Sequence, residues 1–144
     1  MSISERQQSL VQEFKDLPNW EERYKRIIEI GKEAEPLSDE DKIDENLVKG
    51  CQSQVWVTAE LEGNKVFYAG DSDALIVRGL VALLMRLYSG ATPDEILGTD
   101  PEFISALGFE RQLTPSRAKG LHAMIKQIKY YALAFKAIQQ RQQA

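Results

Sequence analysis

Between Ala74 and Ser89 the chain reads Ala-Leu-Ile-Val-Arg-Gly-Leu-Val-Ala-Leu-Leu-Met-Arg-Leu-Tyr-Ser, apolar nearly all the way round a helix. Leu75, Ile76, Leu80, Val81, Leu83, Leu84, Met85 and Leu87 leave no broad face for water, so other elements must surround this segment. It is expected to be the central core helix. Asp71-Ser72-Asp73 offers capping side chains at its start, and Gly90 a stop at its end. Gly79 in the middle costs about 1 kcal/mol relative to alanine, a cost that close packing against another backbone would explain. The apolar run is broken by Arg78 and Arg86, and is too short and too charged to span a bilayer.

The rest of the chain supplies the surroundings. Leu10, Phe14 and Leu17 lie on one helical face that ends at Pro18. Asn19 can cap a second helix, in which Trp20, Tyr24, Ile27 and Ile28 form the apolar stripe, with its stop at Gly31 or before Pro36. From residue 35 to 50 no helical period runs. Glu35, Asp39, Glu40, Asp41, Asp44 and Glu45 are opposed only by Lys42 and Lys49, which predicts a solvated, extended connection with a short strand around Ile43. Then Val55, Val57, Ala59 and Leu61 alternate with Gln54, Trp56, Thr58 and Glu60. Gly63-Asn64 makes the turn and Val66 to Ala69 returns, a hairpin over 54–69. Trp56 falls on the otherwise polar face and needs a cover. Downstream, Thr92-Pro93-Asp94-Glu95 is a capping box, Asp100-Pro101 opens a short helix that stops at Gly108, and Thr114-Pro115 opens the longest helix. Its buried stripe is Leu121, Met124, Ile125, Ile128, Ala132, Phe135 and Ile138, and the Gln-rich tail after 138 is expected to fray. The pattern predicts one α+β domain over 1–144: a small antiparallel sheet, helices around it and a long C-terminal helix.

Composition bounds the function. The 144 residues carry a net charge of −4, which argues against nonspecific binding to nucleic acid or to anionic membranes. Met1 to Arg6 lack the apolar core of a signal peptide, and a single cysteine does not suit a secreted disulfide scaffold, so a reducing, cytoplasmic setting is expected.

That cysteine, Cys51, lies in Val48-Lys49-Gly50-Cys51-Gln52-Ser53-Gln54-Val55-Trp56. Gly50 frees the backbone to turn, and a polar triplet precedes the strand, so the sulfur is placed on a loop. Two fates are open to it: a small buried hydrophobe, the commonest fate of a free cysteine, or a working thiol. Nucleophilic work would need a cation or backbone N–H groups to favour the thiolate. Lys49 is either that help or an ordinary solvated charge. The one histidine, His122, falls on the polar face of the last helix beside Lys126 and Lys129, which suits a solvated side chain better than a base. One cysteine and one histidine give no metal-ligand spacing. Arg117 sits in the first turn of the last helix, where the macrodipole disfavours a cation. Pairing with an acid such as Asp71 or Asp73, or contact with an anionic sulfur or a partner's carboxylate, would offset that.

Three separated stretches resemble the SufE-type sulfur-acceptor proteins: Gly50-Cys51-Gln52-Ser53-Gln54-Val55-Trp56; Gly70-Asp71-Ser72-Asp73-Ala74 with Ile76-Val77-Arg78-Gly79-Leu80; and Leu113-Thr114-Pro115-Ser116-Arg117 with Gly120-Leu121 and Met124. The resemblance covers roughly residues 10 to 135, with the acidic connector only loosely matched. It implies a compact α+β domain in which Cys51 accepts persulfide sulfur from a cysteine desulfurase, stimulates that enzyme, and passes the sulfur to an iron–sulfur cluster scaffold. The chain itself would hold no cofactor or metal, since pyridoxal phosphate belongs to the desulfurase. Gly50, Gln52, Gln54, Trp56, Asp71, Asp73 and Arg117 would support the site or bind the partner. Two other readings remain at this point. One is a thiol-dependent peroxidase or hydrolase using Cys51. The other is an activator that works by binding alone.

Overall fold

The computed structural model describes residues 2–143. Two helices open the chain, α1 (Ile3–Lys15) and α2 (Trp20–Glu33), followed by a hairpin of β1 (Val55–Glu62) and β2 (Lys65–Ser72). Five more helices complete it: α3 (Leu75–Tyr88), α4 (Pro93–Leu97), α5 (Glu102–Ala106), α6 (Phe109–Gln112) and α7 (Pro115–Gln143). The fold is α+β, helices around a two-stranded antiparallel sheet.

α3 is the centre. Ile76, Val77, Leu80, Val81, Leu83, Leu84 and Leu87 are all buried. Its first residue departs from the expected core: Leu75 is exposed. The cost of Gly79 is explained by α2, which crosses at backbone contact. A Cβ on Gly79 would overlap the Ile27 carbonyl oxygen and stand 2.6 Å from Ile27 Cγ2, and one on Gly31 would lie 2.8 Å from the Gly79 nitrogen. Gly31 is therefore a crossing residue inside α2 and not its stop; the helix runs on to Glu33. On the other side of α3, a Cβ on Gly70 of β2 would meet Val81 Cγ1 at 2.6 Å. Glycines on both sides let the helix sit close to its neighbours. A second cluster joins Phe14, Trp20, Phe103 and Phe109 edge to face, a geometry worth about 0.5–1.5 kcal/mol per pair beyond area burial.

Local chemistry sets most element ends. Ser2 and Thr92 form capping boxes with Glu5 and Glu95, and Asn19 accepts the Glu22 N–H. Gly63, in the two-residue hairpin turn, has φ 62°, the left-handed region such turns favour. Further expectations need correction. The strand β2 continues through Ser72, so Asp71 and Asp73 do not cap α3; its N-cap is Ala74, without a side-chain bond. No strand forms around exposed Ile43. The connector instead makes two 3-10 turns, Asp39–Asp41 and Asp44–Asn46, and first pairs with the sheet at Leu47, opposite Trp56. The short helix after Pro101, α5, ends just before Gly108 as expected, and Gly108 at φ 72° then starts a further short helix, α6, that the pattern does not show. Ile138 lies exposed, while α7 continues through the Gln-rich end to Gln143.

Candidate functional site

Cys51 stands on a short loop between Val48 and β1, turned by Gly50 at φ +95°. The loop is pinned at both ends. Upstream, the buried Val48 donates its N–H to Val55 O at 2.8 Å. Downstream, Gln54 donates its N–H to Asp73 Oδ1 at 3.0 Å, and its carbonyl accepts from Ser72 Oγ at 2.7 Å and from the Asp73 N–H at 3.3 Å. Between these anchors, Gln52 is exposed and Ser53 half-buried.

The thiol is half-buried against the first turns of α7. Its Sγ donates to Gly120 O at 3.5 Å, and a Cβ on Gly120 would lie 3.4 Å from the sulfur. A residue without a side chain lets the loop lie this near the helix. Beside the sulfur is a pocket of about 310 Å³. Val77, Leu80 and Met124 give it an apolar floor, while Gln52, Ser53, Thr114, Ser116 and Arg117 give it a polar rim. Burial pushes the Cys51 thiol above its ordinary range, and a donor bond to a carbonyl likewise favours the protonated form. A cation that lowers it was one expectation. Lys49, the nearest in sequence, is exposed and makes no ion pair among the described residues. Burial and the carbonyl contact thus both favour the protonated form of a half-buried thiol.

Asp71 and Asp73 play different parts. Asp71 is 1% exposed and fully engaged. Its Oδ1 accepts the Ser72 N–H at 2.8 Å and faces Arg78 Nε at 3.3 Å. Its Oδ2 accepts the Leu37 N–H at 3.0 Å and faces Lys42 Nζ at 3.5 Å. One carboxylate thereby ties the acidic connector to the hairpin and to α3. The connector then covers Trp56: Lys42 Nζ lies 5.7 Å from the ring centroid, and Trp56 is buried and does not line the Cys51 pocket. Asp73 is exposed and holds the loop anchor.

Arg117 pairs with neither acid. Its N–H donates to Thr114 Oγ1 at 3.3 Å, a cap on α7 that the sequence shows as Thr-Pro, and its side chain lines the pocket with Cys51. Among the described residues it has no carboxylate partner; Asp71 is taken up by Arg78 and Lys42, and Asp73 by the Gln54 N–H. His122 is exposed and borders a separate hollow with Asp100 and Glu110. No histidine or carboxylate lines the Cys51 pocket among the described residues, and no group of three potential metal ligands lies together among them. Val77 and Leu80 are site residues that a core reading of α3 hides. No described helix is long and apolar enough to cross a membrane. The arrangement can shelter one thiol and whatever atom is added to it, and offers no group to move its proton.

Comparison with known proteins bears on the family and the fold. The SufE family, described as an Fe-S metabolism associated domain, matches residues 8–132. An uncharacterized SufE-like protein of Synechocystis sp. is 46% identical over 126 residues, spanning 88% of this chain and 79% of the relative. The solution structure of a hypothetical protein from Thermus thermophilus superposes with a TM-score of 0.74 at 26% identity, over 90% of this chain and 94% of that one.

Proposed function

The chain belongs to the SufE family, associated with Fe-S metabolism, and from that premise we propose that Cys51 is a sulfur carrier loaded by a cysteine desulfurase. The desulfurase holds sulfur as a cysteine persulfide. The Cys51 thiolate attacks the outer sulfur, the S–S bond of the donor breaks, and the donor's thiolate leaves. Cys51 then bears the persulfide, and its former proton has gone to solvent or to the donor. An acceptor thiolate on an iron–sulfur scaffold takes the outer sulfur by the same exchange. Nucleophile and leaving group set the rate, and no oxidant is consumed. Pyridoxal phosphate, on this reading, resides on the desulfurase and not on this chain.

The observation that supports this reading most is the pocket itself. It has room beside Sγ for an added sulfur, an apolar floor of Val77, Leu80 and Met124, and an arginine at its rim. A raised thiol pKa suits a carrier that stays quiet until a partner changes its surroundings. The absence of a second cysteine from the sequence and of a base from the lining speaks against a peroxidase or a hydrolase. An activator working by binding alone would have no use for a sheltered sulfur.

The test compares the wild type with Cys51→Ser, using a cysteine desulfurase and sulfur-labelled cysteine. A carrier takes up label and accelerates alanine release, and the serine variant binds but does neither. A binding-only activator would accelerate alanine release in both forms. A thiol enzyme would turn over small peroxides or esters with no desulfurase present.

A further inference from the structure

We propose that the outward face of α7 is the docking rail for the sulfur donor, and that it selects a donor with an acidic surface. The proposal rests on the carrier reading for the donor's identity and adds the surface and the chemistry by which that donor is recognised.

The charge of this molecule is divided unevenly. All 22 Asp and Glu lie outside α7, while six of the 18 Lys and Arg lie within it: Arg117, Lys119, Lys126, Lys129, Lys136 and Arg141. The helix is therefore net +6 and the remainder net −10, out of a total of −4. Lys129 and Lys136 are engaged internally by Asp100 and Asp94. Lys119 and Lys126 are exposed and have no acidic partner among the described residues. They belong to one stripe, Lys119, Ala123, Lys126, Tyr130, Leu133 and Ala137, spaced four and three residues apart, exposed except at Ala123, which is half-buried against the Cys51 loop. Tyr130 is 65% exposed and Leu133 56%, the two most exposed large apolar side chains among the described residues. Alanines between the larger residues let another backbone approach closely.

The position of the stripe links it to the thiol. A Cβ on Gly50 would lie 3.6 Å from Ala123 Cβ, and Gly120, one turn earlier, touches the sulfur. The pocket is lined by Arg117, Gly120 and Met124 on the inner side of α7, and the stripe adjoins the Cys51 loop at Ala123, so a protein that covers the loop to bring a persulfide to the pocket meets the stripe at that edge. Two unpaired cations leading into an exposed Tyr–Leu pair fit a partner surface on which acidic side chains border an apolar patch. The net −10 of the remaining surface opposes an anionic membrane or a nucleic acid as occupant. A second copy is disfavoured because the two lysine rows would face each other.

The experiment measures equilibrium binding of a cysteine desulfurase to three forms of the full chain, all carrying Cys51→Ser so that transfer does not intervene. One has no further change, one adds Lys119→Glu and Lys126→Glu, and one adds Tyr130→Ala and Leu133→Ala. Both additional pairs should weaken binding about tenfold or more, and the deficit of the charge-reversed form alone should shrink in about 0.5 M salt, where screening is strong. Melting temperatures of all three should agree, because these side chains are exposed. Affinities within about twofold of each other at low salt overturn the proposal. So does a charge-reversal deficit that salt leaves untouched, or a dimer, vesicle or DNA interaction that the variants lose while their affinity for the desulfurase is unchanged. The carrier reading fails separately, through absence of label on wild-type Cys51, whatever these affinities show.

Discussion

Two glycine contacts in this molecule look alike in sequence and differ in what they leave room for. Where α2 crosses α3, Gly79 and Gly31 bring backbone onto backbone, and any added carbon overlaps the Ile27 carbonyl or the Gly79 nitrogen. Where the Cys51 loop meets α7, Gly120 and Gly50 also allow close approach, but an added carbon would sit at 3.4 Å from the sulfur or 3.6 Å from Ala123, near or within ordinary contact. The first crossing is a closed joint inside the core. The second is a loose seat, with a pocket of about 310 Å³ beside it and only a few hydrogen bonds at either end of the loop. A fold that must present one thiol to other proteins needs both: a frame that does not give, and a contact that does.

The largest effect that tests this contrast is Gly79→Ala. Helix propensity alone would favour alanine by about 1 kcal/mol, but the overlap with Ile27 should reverse the sign and cost about 3 kcal/mol or more. Urea denaturation measures it, and a stabilised variant would show that the crossing is not closed. Next comes Arg117→Ala, which should slow persulfide formation on Cys51 about tenfold, roughly 1.4 kcal/mol in the barrier, while leaving the melting temperature nearly unchanged. Arg117→Lys should recover only part of the rate, because lysine lacks the planar fork. A well-folded alanine variant transferring at the wild-type rate would reduce Arg117 to a surface charge. Gly120→Ala should be mild, within about 1 kcal/mol of the wild type and even stabilising, yet slow the loading of Cys51 by narrowing the seat. A cost as large as that of Gly79→Ala would erase the distinction between the two contacts.

The smallest effect concerns pH. Burial raises the Cys51 pKa in the folded chain, so at about pH 8, just below the ordinary thiol pKa, the folded thiol should react with iodoacetamide more slowly than the same thiol in urea. The gap should narrow as pH rises through the folded pKa, when both forms become thiolate. The same linkage has a stability side: the folded state holds the proton more tightly, so this contribution is present below the unfolded pKa and lost as pH rises through the folded one. Equal rates in the two states would mean that the thiol is not sheltered.

What the chain makes legible is local. The hairpin and the Asn19 and Thr92 caps rest on neighbours within a few residues, and the central place of α3 on its own apolar pattern. Asp71 misleads for the opposite reason. Before a helical run it reads as a cap, but its partners Leu37, Lys42 and Arg78 come from separate stretches of the chain and bury it in the fold. Ile43 fails similarly, since the connector's course is decided by Asp71 and Trp56 rather than by its own pattern. At the site, the Cys51 loop and its glycine turn are visible in sequence. The seat is not, because Gly120 is 69 residues away and the floor residues Val77 and Leu80 are indistinguishable from core on a helix apolar all round.

The central claim, that the sheltered sulfur of Cys51 is the cargo position, is tested most directly by intact mass spectrometry after incubation with a cysteine desulfurase and cysteine. The wild type should gain about 32 Da, one sulfur atom, map that gain to the Cys51 peptide, and lose it to a thiol reductant. No gain in mass, or an equal gain in Cys51→Ser, would contradict the account.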